Sequence, residues 1–549
     1  MDFQICFGLS LVETLITSAL NPADGIVSDL PANKSLRFLA FFSVQWVLFK
    51  FYRIFIYPYF VSPLRSIPGP KNDHFFIGQL LHMYRAATPI DHYMNWSATW
   101  PESPFIRYRT YANQDMLLIN TIDAHKQVLQ TNCYDFIKPK FLGRMLGEIV
   151  GTGLLFAEGH EHKRQRKMIL NVFSVPNMKK LIPVFQQKAE EMTRFMERKM
   201  KEKGTQDLEV QEIFSKTTLD AIGVAALGIE LENLRSKELK LDFLQCYFRM
   251  LAQPPVSALI SFIHVYIPIR RIIPLEANYG FMRAMRAVRS MLDDCIEERI
   301  RDLKSTDREK VGGTVSRDLL TYMIEERELQ KEQLTKADIR GHLQNFLSAG
   351  HETTSGALTW ASYVLATRPD IQDKLRDEVI QTVGTFGIPT YSDIEKLSYL
   401  KNFLHEVLRR YSPAPATFRE AAKDVTICGH FLPKGTKLLI SPPVTNLSPQ
   451  IWGDTAREFI PERWEALTGD AATPYATESF GNGPRICIGK VYSVLAFKIM
   501  MIELLRNFRI SPSPYLEALG DKPVPVQNPA VTWRPKGGMQ VHLERITWS

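Results

Sequence analysis

The rhythm of hydrophobic and polar positions changes along this chain, and each change marks a different kind of element. Residues 36–57, LRFLAFFSVQWVLFKFYRIFIY, are almost continuously apolar. A helix of roughly twenty such residues crosses a bilayer. Lys50 and Arg53 come late in the stretch, where they can snorkel to an interface rich in Tyr52, Tyr57 and Tyr59. The pattern predicts a membrane span over 36–57, with a buried amphipathic helix as the competing reading. Residues 3–20 are also apolar but shorter, and they carry Glu13. They are compatible with a second span, a re-entrant piece or part of a signal sequence. PLRSIPGP, residues 63–70, then blocks helix continuation and reads as a stiff hinge. An anchor region over 1–62 and a body over 63–549 follow.

Within the body, long helical patterns dominate from residue 177 to residue 411, while 418–440 alternates and turns at Cys428-Gly429-His430 and Pro433-Lys434-Gly435. The expected fold is mainly α with a small β region. Thr335-x-x-Asp338 reads as the capping start of a helix of about 31 residues that Pro369 closes. Behind Cys487, GKVYSVLAFKIMMIELLRNF places apolar residues at helical spacing from Val491 to Leu505.

Composition changes this picture little. The 549 residues are 45% hydrophobic and 23% charged, which is ordinary for a globular protein. No repeat, low-complexity tract or Gly/Ser linker follows residue 70, so a single catalytic unit of about 480 residues is expected. The net charge of +8 comes without a basic-aromatic cluster, so no nucleic-acid partner is expected. None of the six cysteines forms a C-x-x-C pair, which fits a reducing compartment. Lys50, Arg53, Arg65 and Lys71 follow the span, against Lys34 and Arg37 before it, placing the body in the cytosol.

The candidate chemistry centres on FGNGPRICIG, residues 480–489. Gly481 and Gly483 let a backbone loop approach a ligand. Cys487 is expected at a helix start, where free N–H groups and the dipole stabilise a negative sulfur. Arg485 supplies a cation for anionic groups, and Gly489 removes a side chain where a planar ligand would press. A second candidate is AGHETT, residues 349–354, in the middle of the long helix. There Gly350 costs about 1 kcal/mol against alanine and Glu352 is a charge in apolar surroundings. In HEVLRR, Glu406 and Arg409 share one helix face amid apolar neighbours.

The pattern Phe480, Gly483, Arg485, Cys487, Gly489 resembles the haem-binding loop of the cytochrome P-450 family of haem-thiolate monooxygenases, and AGHETT matches a second motif of that family. The resemblance, most like fungal microsomal members, spans about 63–545 and implies the cytochrome P-450 fold with haem b (iron protoporphyrin IX) as cofactor. It implies that Cys487 is the iron ligand, whose thiolate favours O–O cleavage. Ala349 and Gly350 would make room over the iron, with Glu352 and Thr353 relaying protons. His162, where the family usually has tryptophan, together with Arg166, Arg419 and Arg485, would meet the haem propionates. Glu406, Arg409 and Arg463 would form a structural triad. Ser493 and the run Asn446-Leu447-Ser448-Pro449 depart from the family pattern.

The family resemblance further implies monooxygenation of a hydrophobic small molecule, of terpenoid or polyketide type, by an enzyme of the endoplasmic reticulum membrane. The apolar stretch 243–273 would roof the pocket and touch lipid. No dinucleotide fingerprint is visible, so electrons are expected from an NADPH-cytochrome P-450 reductase docking near Lys163, Arg164 and Lys167. The rival readings are an O2-independent isomerase or dehydratase, against which Glu352 and Thr353 argue, and a haem sensor or carrier without turnover.

Overall fold

The computed structural model describes residues 2–19, 33–235, 243–251, 255–266, 269–270, 272–304, 318–329, 334–527 and 531–548. Residue 20 of the first apolar stretch, and residues 252–254, 267, 268 and 271 of the expected roof, lie outside them.

One helix organises the body. Lys336–Thr367 runs for 32 residues, about 48 Å at the α-helical rise. Its start is the expected capping box: Asp338 N–H donates to Thr335 Oγ1 at 3.1 Å and Thr335 N–H donates to Asp338 Oδ2 at 2.9 Å. Most of its side chains are buried, because other helices cover it on several sides. Val210–Leu227 lies along it, and Lys490–Asn507 packs against both it and Ile182–Lys203. Apolar side chains from all four join one large core.

The β component is larger than the 418–440 pattern predicts. Strands form there as expected at Thr417–Ala421, Val425–Ile427, His430–Leu432 and Lys437–Ile440. The Cys428-Gly429 turn takes φ of 48° and 78°, the left-handed pair that a two-residue hairpin prefers. Cys428 is held in that conformation by its N–H, which donates to Gln127 Oε1 at 3.0 Å. The main sheet adds strands from far upstream, in the order Phe105–Arg109, Asp115–Ile119, Lys437–Ile440, Thr417–Ala421, Phe136–Ile137. Its Asp115–Ile119/Lys437–Ile440 pair is parallel and the rest antiparallel. Asp207–Glu209, Gln540–Arg545 and Phe508–Pro512 make a separate antiparallel sheet.

At the N-terminus, Asp2–Ala19 and Lys34–Phe51 are helices. The second continues to Val61, and the combined Lys34–Val61 segment is long and apolar enough to cross a membrane. Pro58 lacks an N–H and cannot hold the α register. Tyr52–Val61 accordingly runs in wider π turns, whose carbonyls the body reaches. Asn113 Nδ2 donates to Ile54 O at 3.1 Å, and Arg107 Nη2 donates to Pro58 O. Residues 63–70 are likewise docked, which gives the expected stiff hinge its stiffness. Leu64 and Ile67 are buried, Arg107 N–H donates to Pro68 O at 2.8 Å, and a Cβ on Gly69 would lie 1.7 Å from Arg107 O.

Candidate active site

The cysteine loop is shaped by two glycines and one backbone clasp. Gly481 and Gly483 take φ of 64° and 70°, and Cys487 N–H donates to Phe480 O at 2.8 Å. A Cβ on Gly483 would stand 2.0 Å from Leu129 O. Gly483 therefore lets the loop lie against its neighbour, and it does not line the cavity. The helix Lys490–Asn507 begins three residues after Cys487, with Gly489 as its cap.

Cys487 has an exposed surface, yet what it faces is the wall of an interior cavity of about 410 Å³. Dense protein around the sulfur therefore governs its titration. Burial pushes the thiol up, more than the Gly489 N–H, Arg166 and Lys490 pull it down. The Gly489 N–H at the helix start does pull toward the thiolate, as expected, but burial outweighs it. A metal cation bound at Sγ would supply the missing stabilisation, since a coordinating thiol is deprotonated outright.

One side of the cavity is cationic. Lys138, His162, Arg166, Arg419 and Arg485 all line it. Arg485 pairs with Glu158 and donates from Nη1 to Ala157 O at 3.1 Å, while its Nε is buried without a partner. Arg419 bonds only Thr417 Oγ1, at 3.3 Å, and Phe418 O, at 2.8 Å, among the described residues. Burial, with Arg485 adding to it, brings Arg419 down to about 10. Lys138 falls to about 7 through burial and the neighbouring Arg419 and Arg485. His162 falls to about 3, through burial and the charge of Arg485, so it is neutral. Tyr134 Oη lies 3.3 Å from its Nδ1; with that hydroxyl donating, Nε2 is the protonated nitrogen. Glu478, which also lines the cavity, is raised to about 8 by burial and is mainly the neutral acid at pH 7. Glu158 is thus left to balance several cations. That excess fits a flat ligand with apolar faces and anionic arms, as haem b is.

The opposite wall is the middle of Lys336–Thr367. Ala349 is exposed halfway along an otherwise buried helix, because it looks onto the cavity. Gly350 also lines it, but a Cβ there would meet Ile222 Cγ1 at 2.9 Å; its small size serves helix packing as much as ligand space. Thr353 faces the cavity and donates from Oγ1 to Ala349 O at 2.7 Å. Glu352 points away. It accepts from the hydroxyls of Tyr247 and Thr532, and Arg534 Nη1 lies 3.6 Å from Oε1.

Below the loop, the triad residues meet, outside the cavity lining. Arg409 donates to both oxygens of Glu406, at 2.8 and 2.7 Å, and Arg463 Nε donates to Glu406 Oε1 at 3.0 Å. Trp464 Nε1 and Ile460 N–H complete the carboxylate, at 3.0 and 2.9 Å. Arg409 also donates to the carbonyls of Asn446, Ala456 and Glu458. Asn446, a departure from the family pattern, ties this network to the cysteine loop. Its Nδ2 donates to Arg409 O and Ser479 Oγ, each at 3.1 Å, and Glu478 N–H donates to its Oδ1 at 3.0 Å. Lys138, Glu158, Tyr247, Thr532 and Arg534 carry no local motif and were missed by sequence reasoning, whereas the run containing Asn446 was noticed only as a deviation.

A thiol at the wall of an interior cavity, cations in the same lining and a long helix beside it are what a haem-thiolate protein requires. The cytochrome P450 family model matches residues 68–539, and the chain belongs to that family. It is 32% identical to Cytochrome P450 monooxygenase sphH of Aspergillus fumigatus, over 89% of each chain. It is 30% identical to Cytochrome P450 monooxygenase FUM15 of Gibberella moniliformis, over 89% of this chain and 90% of that one. With Cytochrome P450 monooxygenase ALT8 of Alternaria alternata the identity is 28%, over 89% and 91%. The chain is accordingly a haem-thiolate monooxygenase, an oxidoreductase of a family that uses haem b, a redox-partner reductase and hydrophobic substrates.

Proposed function

We propose that this monooxygenase hydroxylates or otherwise oxygenates a hydrophobic small molecule of fungal secondary metabolism, terpenoid or polyketide in type, at the membrane of the endoplasmic reticulum. The observation that carries the site assignment is the Cys487 thiol at the wall of a cavity that also holds unbalanced cations. Haem b, when bound, supplies the iron centre at which O2 is activated. Cys487 is the ligand of that iron, and Arg166, Arg419, Arg485, His162 and Lys138 hold the carboxylates. Phe480, Gly483 and Gly489 shape the loop, while Ala349 and Gly350 keep the helix wall low. Thr353 hydrogen-bonds in the reaction space, and Glu352 is the acid of the proton path. Glu406, Arg409 and Arg463 brace the loop from below.

The substrate side is apolar, with Leu154, Leu155, Phe173, Ile222 and Phe346 in the lining, which supports a hydrophobic substrate. The relatives named above come from fungi, which supports the metabolic setting. A cytosol-facing body meets an NADPH-dependent reductase through exposed Lys163 and Lys167. Arg164 is a weaker candidate, being paired with Glu161.

Reduction under carbon monoxide tests the ligand. The wild type is expected to show the red-shifted absorbance band of thiolate-ligated haem, and Cys487→His the band of an imidazole complex. An unchanged band in the variant overturns the assignment. Metabolite profiles of cells with and without the chain identify the substrate.

A further inference from the structure

The N-terminal pair of helices has its polarity inside out. Asp2–Ala19 packs antiparallel to Lys34–Phe51. Near one end Phe3 meets Phe42 and Trp46, with ring centroids 5.3 and 6.5 Å apart, and Phe7 meets Phe38 at 5.2 Å. Near the other, Arg37 Nη1 donates to Thr17 O at 3.1 Å. The seam between them is small and polar. Cys6, Ser10 and Thr14 follow one another a turn apart, and all are buried. Gln45 bridges the helices: its Nε2 donates to Glu13 Oε2 at 2.6 Å and its Oε1 accepts from Ser10 Oγ at 3.1 Å.

The outward faces are apolar. Leu11, Leu15, Ile16, Leu39, Val47 and Leu48 are all exposed. A water-soluble hairpin would bury those residues and expose Ser10, Glu13 and Gln45. In lipid the preference reverses, because polar groups must find partners between helices while apolar ones meet the tails.

We infer that both helices cross the bilayer as a hairpin, so that the N-terminus lies on the same side of the membrane as the catalytic body. The 18 residues of Asp2–Ala19 span about 27 Å, close to the roughly 30 Å of the hydrocarbon layer. Asp2 lies near the level of Trp46, over which Lys50 Nζ sits 4.3 Å from the ring centroid, a residue pair suited to a headgroup boundary. The charges agree. At the connection end Asp24 and Asp29 offset Lys34 and Arg37, whereas Lys50, Arg53, Arg65 and Lys71 lie on the body side. A single span would put the N-terminus on the far side instead.

The inference rests on the membrane-anchor reading, and one experiment on full-length protein in sealed microsomes separates the two. The chain carries an N-terminal epitope tag and, in a second version, a glycosylation acceptor extended from the 20–33 connection. Expected are retention after carbonate washing, loss of the tag to external protease, and glycosylation of the connection. A protected tag means a single span and overturns the hairpin. A cleaved tag with an unglycosylated connection means that the first helix does not cross, which also overturns it. Release by carbonate overturns the anchor itself.

Discussion

Glu352 and Thr353 are adjacent on one helix yet serve different surroundings. Thr353 faces the cavity and is held to Ala349 O, while Glu352 is locked behind it by Tyr247, Thr532 and Arg534. The hydroxyl is therefore the group that can touch a reacting molecule, and in the proposed proton path the carboxylate would act from the far side of the helix. Thr353→Ala removes that hydroxyl with little change in volume. Product formation is expected to fall on the order of 10²-fold, the lower range for an acid-base group. NADPH consumption is expected to fall less, with the difference appearing as hydrogen peroxide. Product, NADPH and peroxide measured together check this; an unchanged product-to-NADPH ratio makes Thr353 a packing residue. The two motif residues were legible because they are neighbours in the chain. Tyr247 and Thr532 were not, being 105 and 180 positions from Glu352.

The helix Ser398–Arg410 owes its place to the Glu406 network, whose ion pair is fully buried. Removing one partner of a buried pair leaves the other uncompensated, at a cost of about 3–5 kcal/mol. Glu406→Ala is therefore expected to unfold at markedly lower temperature than wild type and to retain little haem. Arg463→Ala, at the rim of the same network, is expected to lose less. Melting curves followed by haem absorbance rank the two variants, and the reverse order would contradict the network. The central helix adds a pH dependence. His342 Nδ1 accepts from Leu154 N–H at 3.2 Å, and burial lowers the imidazole from 6.5 to about 4. The unfolded chain then binds this proton more readily than the folded one, so stability falls as pH drops from about 6.5 toward 4. His342→Gln, which does not titrate, is expected to flatten that acid-side loss in denaturant titrations at several pH values. An equal slope in both proteins would remove His342 as a cause. The capping box and the 418–440 strands could be read from local pattern. The strands at 105–119, 508–512 and 540–545 could not, since short strands acquire their identity from partners distant in sequence.

The division into anchor and body predicts how the protein partitions. A chain lacking residues 1–62 loses both apolar helices and is expected to leave the carbonate-resistant membrane fraction while keeping its carbon monoxide band. A loosely held fraction is expected to remain through exposed Val256, Leu259 and Ile272. If the shortened chain resists carbonate as the full one does, the body carries an anchor of its own. Sequence reading placed the long apolar helix correctly in outline, since such a run leaves few alternatives. It read the junction as a stiff hinge from its prolines, but not what the hinge packs against; the contacts of Leu64, Ile67 and Gly69 carry no local pattern.

Those contacts, with Asn113 and Arg107 gripping the π-turn carbonyls of Ile54 and Pro58, make the junction a mast stepped into a hull rather than a rope. A rope would let the body swivel freely over the bilayer, sampling every attitude. A stepped mast transmits tilt, so in an anchored chain the lean of the helix would set the attitude of the cavity toward the bilayer.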